Sequence, residues 1–255
     1  FCNFSRMEKV FSGVRPTGNI HLGNYFGEIK NFIALQEEAE TFFFIADYHS
    51  LTTHPNASEL RDRVKETLAT YLACGLDPDK TTLYVQSDIP EIPELYLIMN
   101  MLAYKGELER CTTFKEKVAL QKNNINAGLL TYPVLMAVDI IIHRATKVPV
   151  GKDQEQHLEM TRNFAQRFNH LYNTDFFPEP QAFNFSKALV KVPGLDGKGK
   201  MGKSEGPNNA IYLIEDEIAT RKKIMRAVTD SGPTEKNAEV TEPIANLFQL
   251  MSLVS

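Results

Sequence analysis

The sequence contains no tryptophan and only three cysteines, which lie far apart and form no CxxC pair. Such sparse cysteines are expected to be reduced thiols, and they favour a cytosolic protein over a secreted one. No apolar run approaches the roughly 20 residues that a helix needs to cross a bilayer, so no membrane protein is predicted. Residues 1–6 lack the layout of a signal peptide and are expected to be a leader or a remnant of cloning.

Basic residues are not in excess either, which limits the nucleic-acid partners. The formal net charge of −4 over 255 residues argues against indiscriminate nucleic-acid binding, and no DNA partner is predicted. A local basic patch would still be enough to hold an RNA backbone. Hydrophobic residues make up 43% and charged residues 24%, as in ordinary globular proteins. The length allows one large domain, or one domain and part of another.

Metal-ligand and hydrolase patterns are absent as well. His143, His157 and His170 lack metal-ligand spacing with any cysteine or carboxylate, so no zinc or other structural metal is predicted. No Ser-His-Asp arrangement is indicated. The chemistry therefore has to be sought in other motifs.

The stretch 11–25, FSGVRPTGNIHLGNY, predicts a strand, a glycine-rich turn and the start of a helix. It carries neither the GxGxxG nor the GxxxxGK(S/T) fingerprint. Backbone N–H groups and the positive end of the helix dipole would nevertheless point where a phosphate chain can lie. His21 and Asn24 add two side-chain donors one turn apart, and glycines let a nucleotide approach the backbone. The glycines are Gly13, Gly18 and Gly23. A plain glycine-rich turn with a surface histidine is the alternative.

Residues 41–46 form a short apolar run that is typical of a strand buried on both faces of a parallel sheet. Polar residues follow it, among them His49, at the strand end where ligands bind in open α/β sheets. A helical pattern that closes at Gly75 and a further strand at 82–86 come next. Strand, helix, strand, helix, strand over about ninety residues predicts a doubly wound, Rossmann-like α/β fold.

The rest of the chain predicts mainly helices. They are predicted at 93–104, 106–121, 129–143, 151–172 and 215–228, with a strand at 147–150 and a loop-rich segment at 173–210. The expected domains are 7–215, with a helical insertion at about 105–185 and a glycine-rich loop at 197–206, and the start of a C-terminal helical domain at 216–255. The chain stops inside an apolar helical pattern, from which a missing C-terminal portion is expected.

The glycine-rich loop contains Lys200-Met201-Gly202-Lys203-Ser204, with two lysines three residues apart. On a flexible segment these lysines could close over a triphosphate and neutralise the charge that develops on departing pyrophosphate. A solvated lysine loop is the alternative and the commoner fate of such tracts.

Several of these motifs resemble those of one family. His-Leu-Gly-Asn at 21–24 resembles the HIGH signature of class I aminoacyl-tRNA synthetases and related nucleotidyltransferases. The lysine loop resembles their KMSKS signature, with Gly202 where serine is usual. GELERCTTFK at 106–115, AGLLTYP at 127–133 and VPVGKDQEQH at 148–157 resemble the tryptophanyl-tRNA synthetases. GxDQ alone is shared with the tyrosyl enzymes. The resemblance runs from about residue 10 to the end of the chain.

The resemblance implies a ligase that works in two steps. L-Tryptophan and Mg²⁺-ATP would give tryptophanyl-adenylate and pyrophosphate, and the tryptophanyl group would then pass to the 3′ adenosine of tRNA(Trp). Members of this family are homodimers whose tRNA spans both subunits, so a cytoplasmic homodimer is expected. A C-terminal helical region reads the anticodon, and most of that region is expected to be missing here.

The resemblance also implies roles for individual residues. Catalysis would fall to His21, Asn24, Lys117, Lys200 and Lys203. ATP would be bound by Arg15, Thr17, Gly18, Gly23, Gly151, Asp153, Met201 and Ser204. Tryptophan would be bound by Phe11, Gly13, His49, Tyr132, Met136, Asp139, Val150 and Gln154. A solvated helix face for Lys117, a structural histidine at His49 and plain core packing for Met136 are the alternatives.

Asp139 has a physical argument of its own. It lies on a largely apolar helix, where a buried carboxylate needs a donor, so it has either a structural partner or a ligand. The resemblance makes it the acceptor for the indole N–H. A site that hydrogen-bonds its substrate rejects analogues without that group by about 10⁴ or more. Tyr132 and Met136 precede Asp139 by seven and three residues, which puts all three on one helix face.

Three other functions remain open. A tyrosyl-tRNA synthetase is disfavoured by the segments at 106–115 and 148–157. An inactive paralogue that binds tryptophan or RNA is disfavoured by the intact lysines and the His-Leu-Gly-Asn turn. A small-molecule adenylyltransferase would not need an indole-sized pocket with a buried aspartate.

Overall fold

The structure is a computed structural model that describes two compact units. The described residues are 8–16, 18–120, 123–149, 151, 154–183, 191–197, 199–202, 206, 208–232 and 239–255. The first unit comprises residues 1–17, 35–68 and 77–184, and the second comprises 18–34, 69–76 and 185–255. The expected leader, residues 1–6, lies outside the described residues.

The first unit is built on a five-stranded parallel sheet. Its strands are β1 (Lys9–Val14), β2 (Glu40–Ile45), β3 (Thr81–Val85), β4 (Lys147–Pro149) and β5 (Gln181–Phe183). The order across the sheet is β3-β2-β1-β4-β5, and each neighbouring pair is parallel. The chain thus places β2 and β3 on one side of β1 and then β4 and β5 on the other side, which confirms the predicted doubly wound fold. The order in which the chain adds strands reverses between β1 and β4. At such a point open α/β sheets bind ligands at the carboxyl ends of their strands.

β2 confirms the strand predicted from its apolar run. Phe43 and Ile45 are fully buried, and Phe44 stacks on Phe11 of β1 with ring centroids 4.9 Å apart. The segment 173–210, predicted to be loop-rich, also contains the short strand β5. That strand has three residues, too few for an alternating pattern, and it is defined by its pairing with β4.

Helices follow most of the strands. In chain order they are α1 (Leu22–Asn24), α2 (Lys30–Leu35), α3 (Asp47–Ser50), α4 (Ala57–Cys74), α5 (Glu91–Leu102), α6 (Lys105–Arg110), α7 (Thr112–Leu120), α8 (Ala127–Ile142), α9 (Glu155–Leu171), α10 (Glu217–Ile224) and α11 (Glu242–Val254). A π-helix, Tyr25–Ile29, joins α1 to α2. In the first unit α5, α8 and α9 share a core in which Met99, Val138 and Phe164 are fully buried.

The helix predicted at 106–121 is interrupted, and this part of the prediction is wrong. The chain leaves helical geometry at Cys111, whose ψ is 124°, so α6 and α7 are separate helices. Gln156 of α9 fixes the break, because its Oε1 accepts hydrogen bonds from the N–H and the hydroxyl of Thr112 at 2.9 and 2.7 Å. A tertiary contact thus overrides local helix propensity.

The second unit contains the turn into α1 and the segments after residue 185. Its core consists of Phe26, Val192, Leu195, Met201, Ala210 and Leu250. Phe32 and Tyr71 form an edge-to-face aromatic pair with centroids 6.4 Å apart. On α11, Phe248 and Met251 are exposed, whereas Leu250 is buried in this core.

Candidate active site

The carboxyl ends of β2 and β3 carry a buried polar cluster around Asp139 of α8. Asp139 is 1% exposed, and each of its oxygens accepts one hydrogen bond. His49 Nε2–H donates to Oδ2 at 2.8 Å, and Gln86 Nε2–H donates to Oδ1 at 2.7 Å. Burial raises the pKa of Asp139, and the hydrogen bonds from His49 and Gln86 oppose that rise. Since a carboxylate has about four acceptor positions, this one can still accept a further donor.

Gln86 is the member of this cluster that the sequence analysis missed. It is fully buried directly after β3, and its Oε1 accepts a hydrogen bond from the backbone N–H of Tyr48 at 3.1 Å. Asp47 ties the same strand ends together, because its Oδ1 accepts from the N–H groups of Tyr48 and Ser87 at 3.0 and 3.1 Å. A polar residue at the carboxyl end of a predicted parallel strand was the signal available for Gln86.

A second buried network surrounds the hydroxyl of Tyr132 on α8. This hydroxyl is hydrogen-bonded to Thr113 Oγ1 and lies 2.8 Å from His157 Nε2. Thr113 Oγ1 lies 2.8 Å from the same ring nitrogen. The other ring nitrogen, Nδ1, donates to Gln154 Oε1 at 2.8 Å. Tyr132 and Gln154, both predicted to bind tryptophan, are therefore joined through the buried imidazole of His157.

Two acidic groups of this network, the Tyr132 hydroxyl and the Cys111 thiol, have shifted pKa values. Burial raises the pKa of Tyr132, so its hydroxyl stays protonated at neutral pH. Cys111 Sγ lies 3.1 Å from Thr113 Oγ1 and 3.6 Å from His157 Nε2. Burial acts to raise the pKa of this thiol, but its contacts with His157 and Thr113 outweigh burial and lower the pKa to about 6. From the sequence, Cys111 is predicted only to be a reduced thiol, because nothing in its local pattern indicates these contacts.

Arg15 and Lys117 bring two positive charges close together in the first unit. The Nε atom of Arg15 is buried and has no hydrogen-bond partner in the part of the chain that the structure describes. Burial lowers the pKa of Arg15, and burial together with the charge of Arg15 lowers the pKa of Lys117 to about 8. Lys117 Nζ also lies 3.5 Å from the ring centroid of Tyr132, as a cation–π contact. Two neighbouring cations with an available donor are suited to bind a polyanion.

The predicted apolar contacts lie in the sheet and on α8. Phe11 and Phe44 belong to one core cluster, against which Met136 packs. A Cβ on Gly13 would lie 2.0 Å from the Phe44 ring, so glycine is required at this point of β1. The space that Gly13 leaves is taken by Phe44. Gly151 is partly exposed and follows β4 in the chain.

In the second unit, His21 and Asn24 form the capping box of α1. The N–H of Asn24 donates to His21 Nδ1 at 3.3 Å, and the N–H of His21 donates to Asn24 Oδ1 at 3.2 Å. Because Nδ1 accepts, the neutral ring carries its proton on Nε2, and this edge of the ring is a donor. A Cβ on Gly23 would lie 2.8 Å from His21 Nδ1, so the ring position requires glycine. Gly18 has a φ of 111°, a left-handed conformation that favours glycine.

The lysine loop starts from an antiparallel bridge between Pro193 and Lys200. The N–H of Met201 donates to the carbonyl of Val192 at 2.7 Å, and the Met201 side chain is buried in the core of the second unit. Lys200 is exposed. The loop therefore has an anchored base beside an exposed lysine. The predicted site residues Thr17, Val150, Asp153, Lys203 and Ser204 lie outside the described residues.

Two of the cavities among the described residues lie in the first unit. One, of about 290 Å³, lies beside α5 and α8 and is lined in part by Tyr132. The other, of about 470 Å³, lies at the amino ends of β1, β4 and β5, away from the predicted site residues. In the described ranges, no three His, Cys, Asp or Glu side chains are grouped so that they could hold a metal ion. None of the helices there is long and apolar enough to span a membrane.

The chain is similar to known tRNA synthetases along almost its whole length. A family model described as tRNA synthetases class I (W and Y) matches residues 5–254. The tryptophan–tRNA ligase of Porphyromonas gingivalis is 61% identical over 249 residues, which are 98% of this chain and 76% of that protein. The tryptophan–tRNA ligase of Fusobacterium nucleatum is 43% identical over 246 residues, which are 96% of this chain and 74% of that protein.

A solved structure extends this similarity to three dimensions. The crystal structure of the tryptophanyl-tRNA synthetase from Campylobacter jejuni, complexed with ADP and tryptophan, matches with a TM-score of 0.86 at 37% identity. The match covers 96% of this chain and 74% of that one.

Proposed function

The chain belongs to the class I tRNA synthetases of tryptophan and tyrosine, and on that premise we propose that it is a tryptophan–tRNA ligase. Tryptophan and ATP give tryptophanyl-adenylate and pyrophosphate, and the tryptophanyl group then passes to the 3′ adenosine of tRNA(Trp). The relatives from Porphyromonas gingivalis and Fusobacterium nucleatum are tryptophan–tRNA ligases, and the Campylobacter jejuni synthetase forms a complex with ADP and tryptophan.

The buried carboxylate of Asp139 is the observation that favours tryptophan as the substrate. His49 and Gln86 hold this carboxylate in place, and it can accept one more donor. Tryptophan offers an indole N–H, whereas phenylalanine has no polar hydrogen on its ring and tyrosine carries its O–H at another position. We therefore assign Asp139 to the indole N–H. The remaining contacts of the indole would come from Phe11, Gly13, Met136 and Val150.

The amino group of tryptophan is assigned to Tyr132 and Gln154. An ammonium group needs acceptors, and these two side chains offer a phenolic and an amide oxygen. Their common link to His157 supports this assignment, since it holds both oxygens in fixed positions.

The triphosphate of ATP is assigned to positively charged groups and hydrogen-bond donors. In the first unit, Arg15 and Lys117 are neighbouring cations, and Arg15 has a buried donor. In the second unit, the capping box makes His21 a donor through Nε2–H, and Lys200 is exposed beside an anchored loop base. The other ATP and catalytic contacts that we propose are Thr17, Gly18, Gly23, Asn24, Gly151, Asp153, Met201, Lys203 and Ser204.

The carboxylate of tryptophan is the nucleophile in the first step. One of its oxygens attacks the α-phosphorus of ATP, the bond from that phosphorus to the bridging oxygen breaks, and pyrophosphate leaves with the electron pair. The protein then needs no covalent nucleophile of its own, so its residues position the reactants and stabilise the developing charge. Magnesium would arrive on the phosphates of ATP, because it needs few protein ligands there. In the second step the hydroxyl of the 3′ adenosine attacks the carbonyl carbon, and AMP leaves.

The apolar face of α5 supports a homodimer. Leu97, Ile98 and Met101 are 60%, 45% and 74% exposed and lie along one helix. A second copy of the chain would cover this face. Residues 216–255 would begin the helical region that binds the anticodon. The cytoplasm, where tRNA is charged, would be the location.

Amino-acid-dependent ATP–pyrophosphate exchange tests the proposal. We expect strong exchange with tryptophan and little with tyrosine or phenylalanine. Asp139→Asn should lower kcat/KM for tryptophan by about 10- to 150-fold, the range for one hydrogen bond to a charged group. Asp62→Asn, at an exposed position of α4, is the matched control and should leave exchange unchanged. Preferred exchange with tyrosine would assign the chain to the tyrosyl enzymes, and tryptophan binding without exchange would favour a sensor.

A further inference from the structure

His157 lies at the centre of the contacts that connect Tyr132 with Gln154. It is 1% exposed in the first turn of α9, with Nε2 2.8 Å from the Tyr132 hydroxyl and Nδ1 2.8 Å from Gln154 Oε1. We propose that His157 is a positioning residue that presents both side chains as acceptors to the ammonium group of tryptophan. This inference rests on the proposed function, because it concerns how the same substrate is recognised.

The direction of the hydrogen bonds supports this role. Since Gln154 Oε1 is an acceptor, Nδ1 of His157 carries a proton and donates it to that oxygen. In the neutral ring, Nε2 is then an acceptor for the hydroxyl of Tyr132 or of Thr113. Cys111 Sγ, 3.6 Å from Nε2, receives no proton from this nitrogen and has the Thr113 hydroxyl, at 3.1 Å, as its donor when Tyr132 donates to Nε2. If Tyr132 donates to Nε2, its oxygen lone pairs remain as acceptors. If Thr113 donates to Nε2, the Tyr132 proton goes to Thr113, with the same result.

In both arrangements the Tyr132 proton is held inside the buried network. The oxygen of Tyr132 is therefore left to accept an N–H from the substrate, which is what an ammonium group requires. Without the ring of His157, Thr113 is the one acceptor left to the Tyr132 hydroxyl in this network, and the Thr113 proton is no longer held by Nε2. If Thr113 then donates to Tyr132, the Tyr132 proton turns toward the substrate. A donor facing an ammonium group is unfavourable, so the defect should be confined to ligands that carry the amino group.

Three substitutions at position 157 test the hydrogen bonds made by the two ring nitrogens. His157→Phe keeps a ring of similar shape and removes both hydrogen bonds. His157→Asn places an amide near the position of Nδ1, and His157→Gln reaches closer to the position of Nε2. Because Asn and Gln are polar, they also keep the test valid if the phenylalanine variant fails to fold.

The test measures binding at equilibrium by dialysis with two ligands. Tryptophan carries the amino group, whereas indole-3-propionate has the same ring and carboxylate without it. We expect His157→Phe to raise the Kd of tryptophan by about tenfold, the loss of roughly one hydrogen bond, with the Kd of indole-3-propionate changed by less than about twofold. His157→Asn and His157→Gln should show the same selectivity for the amino group with a smaller loss.

Controls separate this role from a purely structural one. His170→Phe, at an exposed position near the end of the same helix, should leave both affinities unchanged. In a Tyr132→Phe background, His157→Phe should add much less than its single effect, because the acceptor that it positions is gone. Equal weakening of both ligands in all three variants, or no change for tryptophan, would overturn the proposal. ATP–pyrophosphate exchange by the wild type is measured separately. Failure of the proposed function would appear as a lack of exchange with tryptophan, whereas failure of this inference would appear in the Kd values of the variants.

Discussion

Replacing Gln86 by methionine removes one of the two donors that hold Asp139 and keeps a side chain of similar shape. Gln86 is fully buried, and its Nε2 donates to Asp139 Oδ1 at 2.7 Å. The contact of its Oε1 with Tyr48 N–H is less important, because that N–H also donates to Asp47 at 3.0 Å. A hydrogen bond to a charged group contributes about 1.5–3 kcal/mol, so we expect the free energy of unfolding to fall by about 1.5–3 kcal/mol.

The effect of this substitution should depend on pH. Burial raises the folded-state pKa of Asp139 above its ordinary value of 3.8. A raised pKa of an acid means that the folded state binds the proton more tightly. The stabilisation from proton uptake is therefore full below the ordinary pKa and is lost as the pH rises through the folded-state pKa. Loss of Gln86 raises this pKa further. The difference in the free energy of unfolding between wild type and variant should therefore become smaller as the pH falls.

Urea unfolding followed by far-ultraviolet circular dichroism measures these stabilities, since a chain without tryptophan lacks the usual fluorescent probe. In an Asp139→Asn background, Gln86→Met should lower the free energy of unfolding by less than about 1 kcal/mol, because the buried charge is gone. Gln166→Met is the control, because Gln166 on α9 makes a hydrogen bond of the same kind, from Nε2 to Glu179 Oε1 at 2.7 Å, at an exposed position, and its loss should lower the free energy of unfolding by less than about 1 kcal/mol. A loss below about 0.5 kcal/mol, or an equal loss in both backgrounds, would refute the role of Gln86 as a donor to Asp139.

Lys117→Met should raise KM for ATP in the exchange assay by about tenfold, whereas Lys115→Met, exposed on the same helix, should not. The pKa of Lys117 is lowered to about 8 by burial and by Arg15, so kcat/KM for ATP should fall in the wild type as the pH rises through about 8, and this fall should be absent from Lys117→Met. Met101→Glu should convert the proposed homodimer to monomers in sedimentation velocity, whereas Ile218→Glu, at a position that is 81% exposed on α10, should not. A Met101→Glu chain that stays dimeric would show that the face of α5 is not the interface.

The parts of the fold with a local signal could be predicted from the sequence. β2 has an uninterrupted apolar run, and the turn at His21 combines glycines with polar residues, so both are recognisable within ten residues. The break at Cys111 could not be predicted in this way, because Gln156, 44 residues from Thr112 in the chain, supplies the hydrogen bonds that hold it.

The candidate site shows the same limit. Asp139 was conspicuous because a carboxylate on an apolar helix needs a donor. Its partners were not identified as partners: His49 is 90 residues away in the chain, and Gln86 is 53. His157 has no role predicted from the sequence, since a histidine has no local pattern that reveals a contact with Tyr132. Pairings of this kind are set by the packing of α8 and α9 against each other and against the strand ends, and spacing along the chain does not encode them.

The size of the discrimination against phenylalanine follows from how Asp139 is held. When a phenylalanine ring lies against Asp139, the carboxylate keeps its hydrogen bonds from His49 and Gln86. The loss is then one hydrogen bond to a charged acceptor, about 1.5–3 kcal/mol or 10- to 150-fold, and not the burial of an uncompensated charge. A preference near 10⁴ therefore needs a second contribution, and the shape of an apolar pocket adds about 1–3 kcal/mol. Gln86→Met should increase the ratio of kcat/KM for tryptophan over phenylalanine, because Asp139 then depends more on the indole N–H. A lower ratio would show that Asp139 takes up a proton in place of the lost donor.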